Sequence, residues 1–96
     1  MNKLVLTGEV VQIDTLRYTP AGIPLLSFML HHLSEQVEAG MKRRVECDVN
    51  AVVMGELAER SLAVKVGTQL KVSGFMAKRS LKSTQLVLHL NTLEII

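Results

Sequence analysis

Lys78, Arg79 and Lys82 place three cations within five positions of the stretch MAKRSLKST, residues 76–84. No acidic residue stands between Glu59 and Glu94, whereas Arg60, Lys65 and Lys71 extend the positive run. A half of one sign creates a local positive field that the formal net charge of +2 conceals. Long, flexible cations without an acid to neutralise them suit an anionic partner, and a row of them suits a repeating polyanion. Each alone is an ordinary solvated charge on a turn. The question is how many converge.

Other chemistry finds few residues to carry it. His31 and His32 are adjacent, so on a strand they point to opposite sides and cannot share a metal; His89 lies far along the chain. Cys47 stands alone, on the apolar side of an alternating run, where a small core residue is expected. The chain has no cysteine pair at ligand spacing, no glycine-rich phosphate loop and no G-x-S-x-G elbow. Neither catalysis nor a metal or cofactor is expected. A single thiol allows no internal disulfide and fits a reducing cytosol. No run approaches the roughly 18 apolar residues of a membrane span, and MNKLVLTG turns polar too early for a signal peptide. The expectation is a cytoplasmic protein without membrane attachment.

The elements that must position these groups read mainly as strands. Ninety-six residues, 48% apolar, suffice for one small domain spanning 1–96. Tyr18, Phe28 and Phe75 are the only Phe, Tyr or Trp residues, so Leu, Val, Ile and Met must build the core. KLVLTGEVVQI (3–13) predicts a first long strand with a bulge or bend at Gly8. A loop with Pro20, Gly22 and Pro24 follows. LLSFMLHHL (25–33) is a second strand with Leu26, Phe28 and Leu30 on one face; SEQVEAG is a polar loop closed by Gly40. KRRVECDVNAVV (42–53) alternates strictly, predicting a buried face of Val45, Cys47, Val49, Ala51 and Val53 and a wet face of Lys42, Arg44, Glu46, Asp48 and Asn50. Leu57, Ala58 and Leu62 fit one face of a short helix after Gly55. TQLKVSGFM and TQLVLHLNTLEII supply the fourth and fifth strands.

Three strands, a short helix and two strands, with glycines within long strands, predict an all-β, five-stranded Greek-key barrel of the OB-fold type. An open sheet of this composition would leave two long apolar edges, and closure removes them. The first and last strands carry apolar residues on both faces: Val5, Val11 and Ile13 in one, Val87, Leu93 and Ile95 in the other. A barrel wall buries one face, so a homodimer is expected to cover the second.

OB-folds bind on the outer face of their second and third strands, between the first-to-second and fourth-to-fifth strand loops. Arg17 and Tyr18 fall in the first loop, Lys42 and Arg44 on the third strand, and Lys78, Arg79 and Lys82 in the last loop. Their convergence fits the phosphate backbone of a single strand. Tyr18 is the one aromatic free for stacking, so electrostatics is expected to dominate. The same loop also suits an acidic protein patch, in a protein–protein adaptor with little nucleic-acid binding, or a single-stranded RNA.

LVLTGEV (4–10), LRYTPAGIP (16–24) and SFMLHH (27–32) together resemble the single-stranded-DNA-binding protein family. Its first two strands carry this spacing of glycine, a T-P/S-x-G loop and an F-x-L strand. VGTQLKVSGFM (66–76) continues the likeness through that family's G-x-x-V-x-V-x-G strand. The ending LVLHLNTLEII and the length are similar to a short branch that is all OB domain and lacks the acidic tail. The resemblance implies a homodimeric bacterial protein of replication restart. It would bind single-stranded DNA and dock with the primosomal helicase and other replication-restart proteins. It also implies DNA contacts at Lys78, Arg79, Lys82 and Arg17. The chain departs from relatives with third-strand aromatics by carrying Met41 and Glu46 there, the latter an acid on the presumed binding face.

Overall fold

The computed structural model describes all 96 residues. The strands are β1 (Leu4–Ile13), β2 (Arg17–Tyr18), β3 (Pro24–Glu38), β4 (Met41–Met54), β5 (Gln69–Lys78) and β6 (Leu86–Ile95); the helix α1 (Glu56–Glu59) lies between β4 and β5. The order β1-β5-β6-β4-β3 closes through a β1–β3 pairing, and β2 hangs on β3. This is the predicted five-stranded barrel with one short helix, plus a two-residue strand in the first loop. All pairings are antiparallel except β4–β6.

Aliphatic side chains fill the barrel. Val10, Leu26, Phe28, Leu30, Ala51, Val53, Leu70, Val72, Leu88 and Leu90 are buried, with Ala58 and Val64 plugging one end. Phe28 is the only Phe or Tyr in the core, as its alternation predicts. The helix is a single turn, shorter than expected. Its predicted face is corrected at Leu62, which is exposed; the chain turns after α1, and Val64 takes the inward place. There the Ser61 hydroxyl donates to the Leu57 carbonyl at 2.6 Å.

Two bulges correct the parity of the outer strands. In β1, Val10 faces Leu30 and Gln12 faces Met29, leaving Val11 unmatched. In β6, Leu90 faces Gly74 and Thr92 faces Ser73, leaving Asn91 unmatched. An extra residue flips every side chain after it. Ile13 and Leu93 therefore pack on the core instead of forming a second apolar face. The bulge falls at Val11, not at Gly8, which is buried where a Cβ would stand 3.0 Å from the His31 carbonyl oxygen.

The largest departure is the β3–β4 hairpin. Its pairing is unbroken from Leu25–Met54 to Glu38–Met41, so residues 34–38, expected in a loop, are strand. The turn consists of Ala39 and Gly40 at φ 52° and 76°, the two left-handed positions that match the twist of a tight hairpin. The distal ribbon projects from the barrel, and the molecule measures 49 × 32 × 22 Å. Both faces of a two-stranded ribbon meet solvent, which suits its many charged residues, and Leu33, Val37 and Met41 are exposed there as well. For the same reason the buried face predicted for this strand holds only at Ala51 and Val53. Val45 and Val49 are half-buried, and Cys47, expected in the core, is exposed.

Candidate nucleic-acid interface

The outer face of β3 and β4 carries a cleft of about 410 Å³. Ser27, Asn50 and Val52 line it, with Leu25, Met29 and Met54 beside them, and Arg17 and Arg79 enter from the two flanking loops. Gln12, Asp14, Val87 and His89 complete its sides. The cleft lies on the face where the sequence reading expected a ligand.

Local folding fixes the backbone at both arginines. Arg17 and Tyr18 pair with Leu25 and Pro24, so the first loop folds back along β3. The Gly22 amide donates to the Thr19 carbonyl at 2.8 Å and the Thr19 amide to the Ile23 carbonyl at 2.9 Å, closing the turn. Arg79 follows β5 directly, and its amide donates to the Gln85 carbonyl at 2.9 Å across the mouth of the basic loop. Inside that loop the Ser83 amide donates to the Ser80 carbonyl at 3.1 Å.

The predicted cations divide into two groups. Arg17, Lys78, Arg79 and Lys82 are exposed and make no ion pair. Only Arg17 and Arg79 line the cleft; Lys78 and Lys82 belong to the adjoining strand end and loop. Lys42 and Arg44 lie on the projecting ribbon, each beside an acid: Lys42 is 3.7 Å from Glu35 and Arg44 is 3.8 Å from Glu46. Tyr18 is 63% exposed and does not line the cleft.

Glu46, the acid on this face, belongs to a small cluster just beyond the cleft. His31 Nε2 lies 2.9 Å from Glu46, and its Nδ1 lies 2.8 Å from Asp48. The hydrogen bond to Asp48 raises the His31 pKa above the ordinary 6.5, with Glu46 adding to it against a smaller desolvation effect. His32 points the other way, as strand alternation requires. It is buried, donates from Nδ1 to the Thr7 carbonyl at 2.7 Å and accepts from the Ser34 hydroxyl at 2.8 Å.

Sequence reasoning missed His89, Gln12 and Asp14 as cleft residues. Asn50 carried a signal, the wet-face alternation of its strand. His89 carried none, because its neighbour across the cleft is set by the parallel β4–β6 pairing of strands more than thirty residues apart.

Comparison with known proteins places the chain. Residues 2–92 match a family model described as another single-strand binding protein family. The replication restart protein PriB of Nitrosomonas europaea is 38% identical over 99% of this chain and 88% of its own length. That of Bordetella pertussis is 43% identical over 94% of this chain and 84% of its own. Among solved structures, priB from Ralstonia solanacearum superposes with a TM-score of 0.88 at 32% identity, covering 100% of this chain and 99% of that one. A deletion mutant of the single-stranded DNA binding protein from Thermus aquaticus gives a TM-score of 0.81 at 20% identity over half its length, a likeness of fold alone. The barrel is thus an OB-fold, and the chain belongs to the single-strand binding protein family, among the replication restart proteins PriB.

Proposed function

We propose that this protein binds single-stranded DNA during replication restart, without sequence preference and without catalysing a reaction or using a cofactor. The observation that carries this reading is the cleft of β3 and β4 with unpaired Arg17 and Arg79 entering from opposite loops. Two exposed cations on either side of a half-polar groove suit a phosphate backbone, and Lys78 and Lys82 extend the field beyond it. Tyr18 stands beside Arg17 for a base leaving the groove. Lys42 and Arg44 continue the path along the ribbon by exchanging carboxylates for phosphates. Membership in the family supports the same role.

The finer parts of the proposal concern partners and place. One OB unit spanning 1–96 works as a homodimer in the cytoplasm and docks with the primosomal helicase and other replication-restart proteins. No helix is long and apolar enough to cross a membrane. Val5 and Val11 stay exposed on the outside of β1, at 54% and 39%, which supports a covered face there. It is smaller than the sequence implies, because Ile13 and Leu93 turn inward and Val87 borders the cleft. Exposed Val37 and Met41 near the ribbon tip favour a second reading, a protein adaptor with little affinity for nucleic acid.

Fluorescence anisotropy of labelled oligo-dT at two salt concentrations separates the two. The proposal requires binding that weakens as salt rises and is reduced by Arg17→Ala combined with Arg79→Ala. Oligo-dT that fails to bind at low salt would leave the adaptor reading standing.

A further inference from the structure

Phe75 and His89 are direct cross-strand partners on β5 and β6. Their rings stack with centroids 5.1 Å apart and planes within 6°, the offset parallel arrangement that aromatic quadrupoles favour. Neither ring belongs to the core: Phe75 is 39% exposed, and His89 is half-buried and lines the cleft. The contact is built into the backbone. A Cβ at Gly74 would run into the His89 carbonyl, so glycine lets β5 close on β6 beside the two rings.

The stack runs across the sheet, and its line continues onto β4. There His89 pairs with Val52, a short side chain sunk to 8% exposure that helps line the cleft. The next position in the row thus holds open groove and no ring of the protein. Arg79, which also enters the cleft, supplies a cation for the adjoining phosphate.

We propose that the Phe75–His89 pair is a stacking platform for a nucleobase of the single strand. The base lies over Val52 against the cleft side of His89 as a third ring, and Phe75 backs and orients the imidazole. This site rests on the single-stranded DNA reading given above. It supplies the stacking surface that the sequence offered only at Tyr18. Base–aromatic stacking tolerates any base, because every base has a π-face, so the site adds affinity without sequence preference.

The test compares oligo-dT with an oligonucleotide of the same length in which every thymine is replaced by an abasic tetrahydrofuran unit. His89→Ala is expected to weaken oligo-dT binding roughly 5- to 150-fold, the usual range for losing one stacked base, and Phe75→Leu, which removes only the backing ring, by a smaller factor. Both should leave binding to the abasic strand and the salt slope unchanged. The chain contains no Trp, so the indole introduced by Phe75→Trp is a unique reporter. Its fluorescence should change with oligo-dT and hold steady with the abasic strand. If His89→Ala binds oligo-dT like the parent, or if both strands weaken equally, the platform is overturned while DNA binding stands. If the parent protein binds neither strand, the DNA reading itself has failed.

Discussion

Replacing Lys78, Arg79 and Lys82 together by Ala tests whether the basic loop acts as a site or merely adds charge. All three are exposed, none is held by an acid, and none belongs to the buried core. Each phosphate neutralised on a single strand contributes about −0.7 to the slope of log K against log salt, so three contribute roughly −2.1. Between 50 and 200 mM salt that slope corresponds to about an 18-fold change in affinity, which the triple variant should lose. Anisotropy titrations of oligo-dT across this range read the effect directly, and an unchanged melting temperature shows that the barrel is intact. The ribbon pair Lys42→Ala and Arg44→Ala should flatten the slope by less than one unit, because those cations already face Glu35 and Glu46. Arg60→Ala with Lys65→Ala removes two exposed cations that do not line the cleft. Should that control flatten the slope as much per charge as the loop triple, binding follows net charge and the loop is no site.

Val53 is fully buried, whereas Val49 is half-buried at the root of the ribbon. Val53→Ala should cost about 2–3 kcal/mol, the transfer of two methyl groups plus a residual cavity, and lower the melting temperature by roughly 8–24 °C. Val49→Ala should cost less than half of that, and equal shifts in calorimetry would contradict the account of where the barrel interior ends. The raised His31 pKa sets a pH dependence: its ion pairs contribute fully below the unfolded value of 6.5 and are lost as pH rises through the higher folded value. An NMR titration should place the His31 midpoint above 6.5 and show Asp48→Asn lowering it; a midpoint at or below 6.5 refutes the Asp48 contact. Val11→Lys, on the exposed side of β1, should convert a dimer to a monomer in light scattering, and a parent protein already monomeric at tens of micromolar removes the dimer proposal.

The alternation of LLSFMLHHL identified Leu26, Phe28 and Leu30 as core, and all three are buried. That signal works because consecutive strand residues face opposite sides and one side of a barrel wall is dry. It failed for Cys47 because alternation reports which residues share a face, not how far the barrel extends beneath it. β1 pairs with β3 only over Phe28–His31, so the ribbon beyond has nothing to cover it. It failed again for Ile13 and Leu93, where single unmatched residues reverse the parity. The candidate site was legible as far as loops and charges go: Arg17 and Arg79 do meet across one cleft.

Local chemistry determined the five long strands of the barrel, much of its aliphatic core and the concentration of cations in one loop. Each of these depends on residues a few positions apart. The tertiary structure decided which charges remain free and which rings meet. Lys42 meets Glu35 across the two ribbon strands through the hairpin register, whereas Arg44 meets Glu46 two residues along its own strand. Phe75 meets His89, fourteen residues later, because β5 and β6 align there and Gly74 admits the close approach. Val52 lies next in that row only through the parallel pairing of β4 with β6, a contact between distant segments that no local pattern encodes.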